Sequence, residues 1–159
     1  MSAKQETIEF ELASEAVAFL NDQCWHDSVL HEIVIIRTAS ADRVLLKLDL
    51  LSDWENQVSS RVELAFNKCM HASTQMYGGV ISMSEGEMIY AVECSDTDPV
   101  IDSIKEELSR TDVNHGIFRM EMGTTGSSIE LVFSGISLKQ VGETGQHTAP
   151  PPLYPDGSK

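Results

Sequence analysis

The chain reads as an α+β domain, a mainly antiparallel sheet of about seven or eight strands with two helices. Three observations predict it. Short apolar–polar alternations recur along most of the chain, the period-two signature of half-buried strands. Polar or glycine turns separate them at hairpin spacing, as at 38–42 (TASAD), Gly78-Gly79 and 124–128 (TTGSS). No strand–helix–strand alternation appears, so the helices must gather on one side or end of the sheet.

The elements follow in order. Ile8, Phe10 and Leu12 alternate with Glu9 and Glu11, giving a short first strand or an extended arm. Ser14 is placed to cap a helix that ends near Asp22, with Ala16, Phe19 and Leu20 on its apolar face. Residues 29–37 are β-branched and aliphatic apart from His31 and Glu32. Residues 43–51 then alternate, with Val44, Leu46, Leu48 and Leu50 on one face and Lys47 and Asp49 on the other. The two runs read as a hairpin. Residues 54–60 (WENQVSS) read as a loop, and Val62, Leu64 and Phe66 give the next inward face.

Gly78-Gly79 joins a strand ending near Tyr77 to one at 80–83, the two glycines supplying the φ freedom of a tight turn. Residues 84–87 (SEGE) turn again, and 88–94 form a strand. The second helix is the best marked. Asp98 caps it and Pro99 takes its first position, where the missing N–H costs nothing. Its inward residues are Ile101, Ile104 and Leu108; Lys105, Glu106 and Glu107 face water. Phe118, Met120 and Met122 mark another strand, and Ile129, Leu131 and Phe133 the last, continuing to Leu138.

Residues 1–141 therefore make a single domain. From 142 to 159 the composition turns to Gly, Pro, Thr and Ser, a disordered or loosely packed tail. Within it Pro151-Pro152-Leu153-Tyr154 matches the Pro-Pro-x-Tyr pattern that WW domains read in a polyproline groove.

Charge narrows the partners. Acids outnumber bases 25 to 11, a net charge of −14, which repels phosphate backbones and anionic membrane surfaces and favours a basic protein. The polar start MSAKQETIEFELASE holds no apolar secretory region. Three widely spaced cysteines, Cys24, Cys69 and Cys94, do not form a disulfide framework. A reducing cytoplasmic compartment is the expectation.

Candidate chemistry is sparse. Trp25-His26-Asp27 sets a histidine beside an acid, the pairing a general base needs. On an extended chain, however, adjacent side chains point to opposite faces, so Asp27 should not orient His26. The simpler reading has Asp27 or Ser28 satisfying backbone groups at the strand entrance while Trp25 packs across the helix-to-strand corner. Cys24-x-His26 and Cys69-x-His71 each put two ligands on one strand face; on neighbouring strands they would complete a tetrahedral zinc shell. Glu85-Gly86-Glu87 reads as a solvated turn. There is no nucleophile elbow, dinucleotide fingerprint or phosphate-binding loop.

Trp25-His26-Asp27-Ser28, followed by VLHEIVIIR and an aliphatic hairpin partner, resembles the opening of small bacterial domains of the immunity-protein type. Such domains sit beside polymorphic or contact-dependent toxins and neutralise them by binding. The resemblance covers residues 24–70. It implies an acidic antiparallel α+β binding protein without catalytic residues, and it assigns no residue a contact.

The leading expectation is thus a non-catalytic acidic protein that binds a basic partner. The outward acids Asp102, Glu106, Glu107 and Asp112 around the second helix are the candidate contacts. One alternative is a small metal-binding domain or enzyme built on Cys24, His26, Cys69 and His71. Another is a self-associating structural protein.

Overall fold

The computed structural model describes residues 7–38, 42–53, 55–56, 58–77, 87–108, 114–123 and 125–146. The Gly78-Gly79 turn, the strand expected at 80–83, Glu85-Gly86, Asp112 and the tail from 147 lie outside the described residues.

The elements are β1 (Thr7–Phe10), α1 (Ala13–Asn21), β2 (Cys24–Arg37), β3 (Asp42–Asp53), β4 (Val58–Asn67), β5 (His71–Gln75), β6 (Glu87–Ser95), α2 (Pro99–Glu107), β7 (Gly116–Met122), β8 (Ser128–Phe133) and β9 (Gly135–Gln146). The strands form one sheet in the order β1-β9-β4-β3-β2-β6-β7-β8-β5, with every pair antiparallel. The α+β class is as the sequence predicts. The described strands number nine, more than the expected seven or eight, because the run from Ile129 to Leu138 breaks at Ser134 into β8 and β9.

That break is where the sheet bends. β4 pairs with β9 and β5 with β8, so the four strands form one long ribbon. Asn67 lies opposite Gly135 and His71 opposite Val132, which leaves residues 68–70 facing only 133–134. This bulge is held by Ser134 N–H on the Asn67 carbonyl and Met70 N–H on the Val132 carbonyl. Lys68 takes a positive φ of 52° in it, a conformation uncommon for a lysine and suited to re-aiming a strand. Gly135 is required here: a Cβ would sit 2.7 Å from the Phe10 carbonyl oxygen.

The bend folds the sheet onto its own apolar face. In a flat sheet β4 and β7 would lie about 19 Å apart, four strand spacings. Instead the Phe66 ring of β4 is 4.7 Å from that of Phe118 in β7 and 5.1 Å from that of Phe133 in β8. The inward residues predicted from alternation, Val44, Leu46, Leu48, Val62, Leu64, Phe66, Phe118, Met120, Ile129 and Leu131, meet in one core.

The helices close this roll. α1 buries Ala13, Ala16, Val17 and Leu20 against it. Its N-cap is Leu12, which makes no side-chain cap bond, so Ser14 lies inside the helix and does not cap it. α2 begins as read: Asp98 accepts from Val100 N–H and Pro99 is the first helical residue. It covers the outer face of β7 and β8, where Ile101 meets Ile117 and Val132. Leu108, expected inward, is exposed; it is the C-cap, past the last helical residue Glu107. β4 starts at Val58, inside the expected loop, and β9 runs to Gln146, past the boundary drawn at 141. The backbone ladder between these two strands, Ser60 opposite Glu143 and Val58 opposite Gln146, needs no apolar side chains. Among the described residues no helix is long and apolar enough to cross a membrane.

Candidate functional site

Trp25-His26-Asp27 resolves into packing. The Trp25 indole N–H donates to the Leu20 carbonyl at 2.6 Å, and its ring lies edge-on to Phe118. It pins the end of α1 to the start of β2, as expected. Ser28 does the backbone work: its hydroxyl donates to the Cys24 carbonyl and accepts from Leu51 N–H. The expectation that Asp27 cannot reach His26 needs correction. Asp27 has a positive φ of 72°, so the alternation rule lapses there, and its carboxylate lies 3.3 Å from His26 Nδ1. The imidazole is largely exposed and stands beside Tyr90.

The four Cys-x-His residues are not brought together. Cys24 and His26 lie on β2 and His71 on β5, with β6, β7 and β8 between them in the sheet. His71 Nε2 contacts Glu130 at 3.2 Å. Burial, with a further push from Asp42, drives the Cys69 thiol up to about 12 against a backbone hydrogen bond from Val44. Burial likewise pushes Cys94 up to about 12. Both thiols are therefore protonated and poor ligands or nucleophiles at neutral pH. Among the described residues no group of three or more His, Cys, Asp or Glu side chains is disposed to hold a metal ion.

Two clusters were not anticipated. On the outer face of β2-β3-β4, the Asp49 carboxylate accepts from Arg61 Nε and Nη2 at 2.8 and 3.0 Å, and lies 2.9 Å from His31 Nε2. Asp49 was expected to face water but is only 5% exposed. Alternation places it correctly on the outer face, and the two neighbouring side chains then cover it. Burial would raise its pKa, but the hydrogen bonds and charges of Arg61 and His31 outweigh that and hold the carboxyl below its ordinary range.

On β5-β8-β7 the pattern repeats. Glu130 lies between His71 and Arg119, and Arg119 reaches on to Asp98 at 2.7 Å. Hydrogen bonds from Arg119 and Val100 keep Asp98 ionised below the usual carboxylate range. The same partnership raises Arg119. Each cluster is a histidine, a carboxylate and an arginine on three adjacent strands, each satisfying the others. Such cross-strand pairing fixes register.

A concave surface lies elsewhere, around β1 and along α1. Two open clefts meet at Phe10. One, of about 530 Å³, is lined by Phe10, Glu15, Ala18, Phe19, Asn21 and Asp22. The other, of about 440 Å³, takes in Glu9, Glu11, Leu12 and Lys68. The Phe10 and Phe19 rings are 5.1 Å apart and form the floor. Ile8 and Leu12 are exposed beside it. Glu15 and Asp22 thus line the first cleft with both rings, and Glu9, Glu11 and Lys68 line the second, which shares Phe10 with it.

Of the predicted contact acids, Asp102, Glu106 and Glu107 are exposed on α2. Leu108 beside them exposes a large apolar side chain. The sequence signal for the other surface was present in the alternation IEFEL, residues 8–12, where exposed acids flank aromatic and aliphatic residues. No protein-family model, curated protein or solved structure matches the chain.

Proposed function

We propose that the chain is a non-catalytic acidic binding protein whose docking surface is the acid-rimmed groove around Phe10. Its partner is a protein segment that combines basic residues with an apolar anchor. The groove carries the reading. An aromatic floor gives an anchor residue somewhere to bury, and the four carboxylates complement a basic rim.

Leu12 supports it. It occupies the N-cap of α1, where Ser, Asp or Asn would contribute about 1 kcal/mol, yet it makes no cap bond and is 47% exposed. A local rule broken without benefit to the fold points to another use for the side chain. Neutralising a basic protein by covering its surface is the role that the immunity-type resemblance implies. It demands no more than such a face.

The test uses a lysine-rich peptide with a single tryptophan anchor as probe, in binding kinetics at low and physiological salt. Glu9, Glu11 and Glu15 changed together to lysine should slow association on the order of tenfold, since rim charges act mainly on the on-rate. Leu12→Ala should speed dissociation without lowering thermal stability. A matched reversal of Asp102, Glu106 and Glu107 should do much less. Equal loss from both reversals would show undirected attraction to a polyanion and refute the groove. Loss from the α2 reversal alone would move the contact to that helix.

A further inference from the structure

We infer that the first of the two clefts at Phe10 is an arginine pocket, where a guanidinium of the partner lies on the Phe10 and Phe19 rings and pairs with Glu15 and Asp22. The inference rests on the proposed docking groove and names the residue that this groove selects.

α1 builds the pocket. Glu15, Ala18, Phe19 and Asp22 stand at i, i+3, i+4 and i+7, the spacing of one helix face. A carboxylate thus lies about one turn to either side of Phe19. Phe10 comes from β1, its ring 5.1 Å from that of Phe19 and tilted by 37°. Both residues are half-buried and both line the cleft.

The polar lining is of one kind. None of the side chains around this cleft is cationic. Asn21 turns its Nδ2 to the Cys94 carbonyl at 3.1 Å, which leaves Oδ1 to accept. Among the described residues the Glu15 and Asp22 side chains have no hydrogen-bond or ion-pair partner. Acceptors and aromatic faces with no cation of their own suit a positively charged ligand.

The helix end points the same way. Asp22 is the C-cap of α1, and the last turn holds no basic residue. The C-terminal end of a helix carries partial negative charge and is stabilised by Lys, Arg or protonated His. An acid at that end works against the helix, and a cation supplied from outside satisfies helix and carboxylate together.

The geometry selects arginine over lysine. Two carboxylates and an amide oxygen, spread around two rings, call for several donors in one plane. Guanidinium presents a planar fork of donors, pairs bidentately with carboxylates and stacks on aromatic faces. An ammonium is a compact, strongly hydrated point charge, and it gives up more hydration on an apolar floor.

Calorimetry with three peptides tests this: the lysine-rich, single-tryptophan probe, the same peptide with every lysine exchanged for arginine, and an uncharged version with citrulline at those positions. The first two carry equal charge. Arginine should bind about tenfold tighter than lysine, and citrulline should lose binding. Phe19→Leu keeps an apolar side chain without the ring face and should erase the preference. Asp22→Lys puts a cation on the helix end itself; it should also erase the preference while raising the melting temperature by about 1–3 °C. Methylguanidinium, added alone, should shift the Phe10 and Phe19 ring resonances where methylammonium at equal concentration does not. Equal affinity for the arginine and lysine peptides overturns the arginine pocket and leaves the groove standing. A preference that survives both Phe19→Leu and Asp22→Lys also overturns it. Binding of neither charged peptide overturns pocket and groove together.

Discussion

Replacing Asp49 with alanine separates the structure's account of the sheet from the sequence's. Alternation alone makes Asp49 a solvent-facing residue whose loss costs little. The structure makes it the hub of a cross-strand cluster, 5% exposed, with two hydrogen bonds from Arg61 and one contact to His31. Breaking a fully buried ion pair costs about 3–5 kcal/mol. Arg61 is half exposed and His31 a fifth exposed, so both can turn to water once the carboxylate is gone. The expected cost is therefore about 1–3 kcal/mol, the range for removing a buried hydrogen-bond partner. Glu32→Ala on the same face is the control: Glu32 is exposed and its pair with Lys47 is long, at 3.6 Å, so it should cost under about 0.5 kcal/mol.

Acid gives the prediction a second arm. The folded pKa of Asp49 lies below its ordinary value of 3.8, so the unfolded chain takes up the proton first on acidification. The ionic contribution is complete above 3.8 and is lost as pH falls through the folded value. Urea unfolding of wild type and Asp49→Ala should differ by a constant amount from neutral pH down to that region. Below it the gap should narrow, as far as wild type stays folded. A variant no weaker than Glu32→Ala at neutral pH, or a gap that widens in acid, would refute the cluster as drawn.

Three further outcomes follow from the same contacts. Leu46→Ala or Leu48→Ala, both wholly buried, should each cost about 2–5 kcal/mol in denaturant unfolding, with comparable small losses counting against the core face. Asp98→Ala removes the α2 cap and an Arg119 partner together; a loss of about 1–2 kcal/mol should appear with faster hydrogen exchange in the first turn of α2, and unchanged exchange would sink it. A thiol reagent at neutral pH should label Cys24, which is exposed, well before Cys69 and Cys94, whose thiols stand at about 12; three equal rates would contradict the burial.

Local signals were legible wherever the deciding contact lies within a few residues. Asp98-Pro99 marks α2 because cap and first-turn chemistry are local. Leu46, Leu48, Leu64, Phe118 and Leu131 point inward as alternation requires. The failures share a physical cause: they depend on what a distant segment does. Alternation gives the face of Asp49 but not that Arg61 and His31 cover it. Gly135 inside the run from Ile129 to Leu138 signals a close backbone approach, but not that β1 is what presses on it. Asp27 takes positive φ where the β2–β3 register shifts and Lys68 in the bulge between β4 and β5, and with Asp27 the extended-chain argument about His26 fails.

The same distinction bears on where the proposed basic partner should dock. Helix periodicity correctly finds Asp102, Glu106 and Glu107 on the outer face of α2, but exposure is the ordinary condition of an acid and sets none apart. What sets Glu9, Glu11, Glu15 and Asp22 apart is the company they keep, the Phe10 and Phe19 rings and an exposed Leu12. That company exists only after β9 has drawn β1 against α1, with Ile8 opposite Leu138 and Phe10 opposite Ile136. Charge steers an encounter over roughly 8 Å at physiological salt, which the exposed acids do in common. Holding the partner takes a desolvated anchor, and the Phe10 and Phe19 rings, 5.1 Å apart, line the cleft that Glu15 and Asp22 also line.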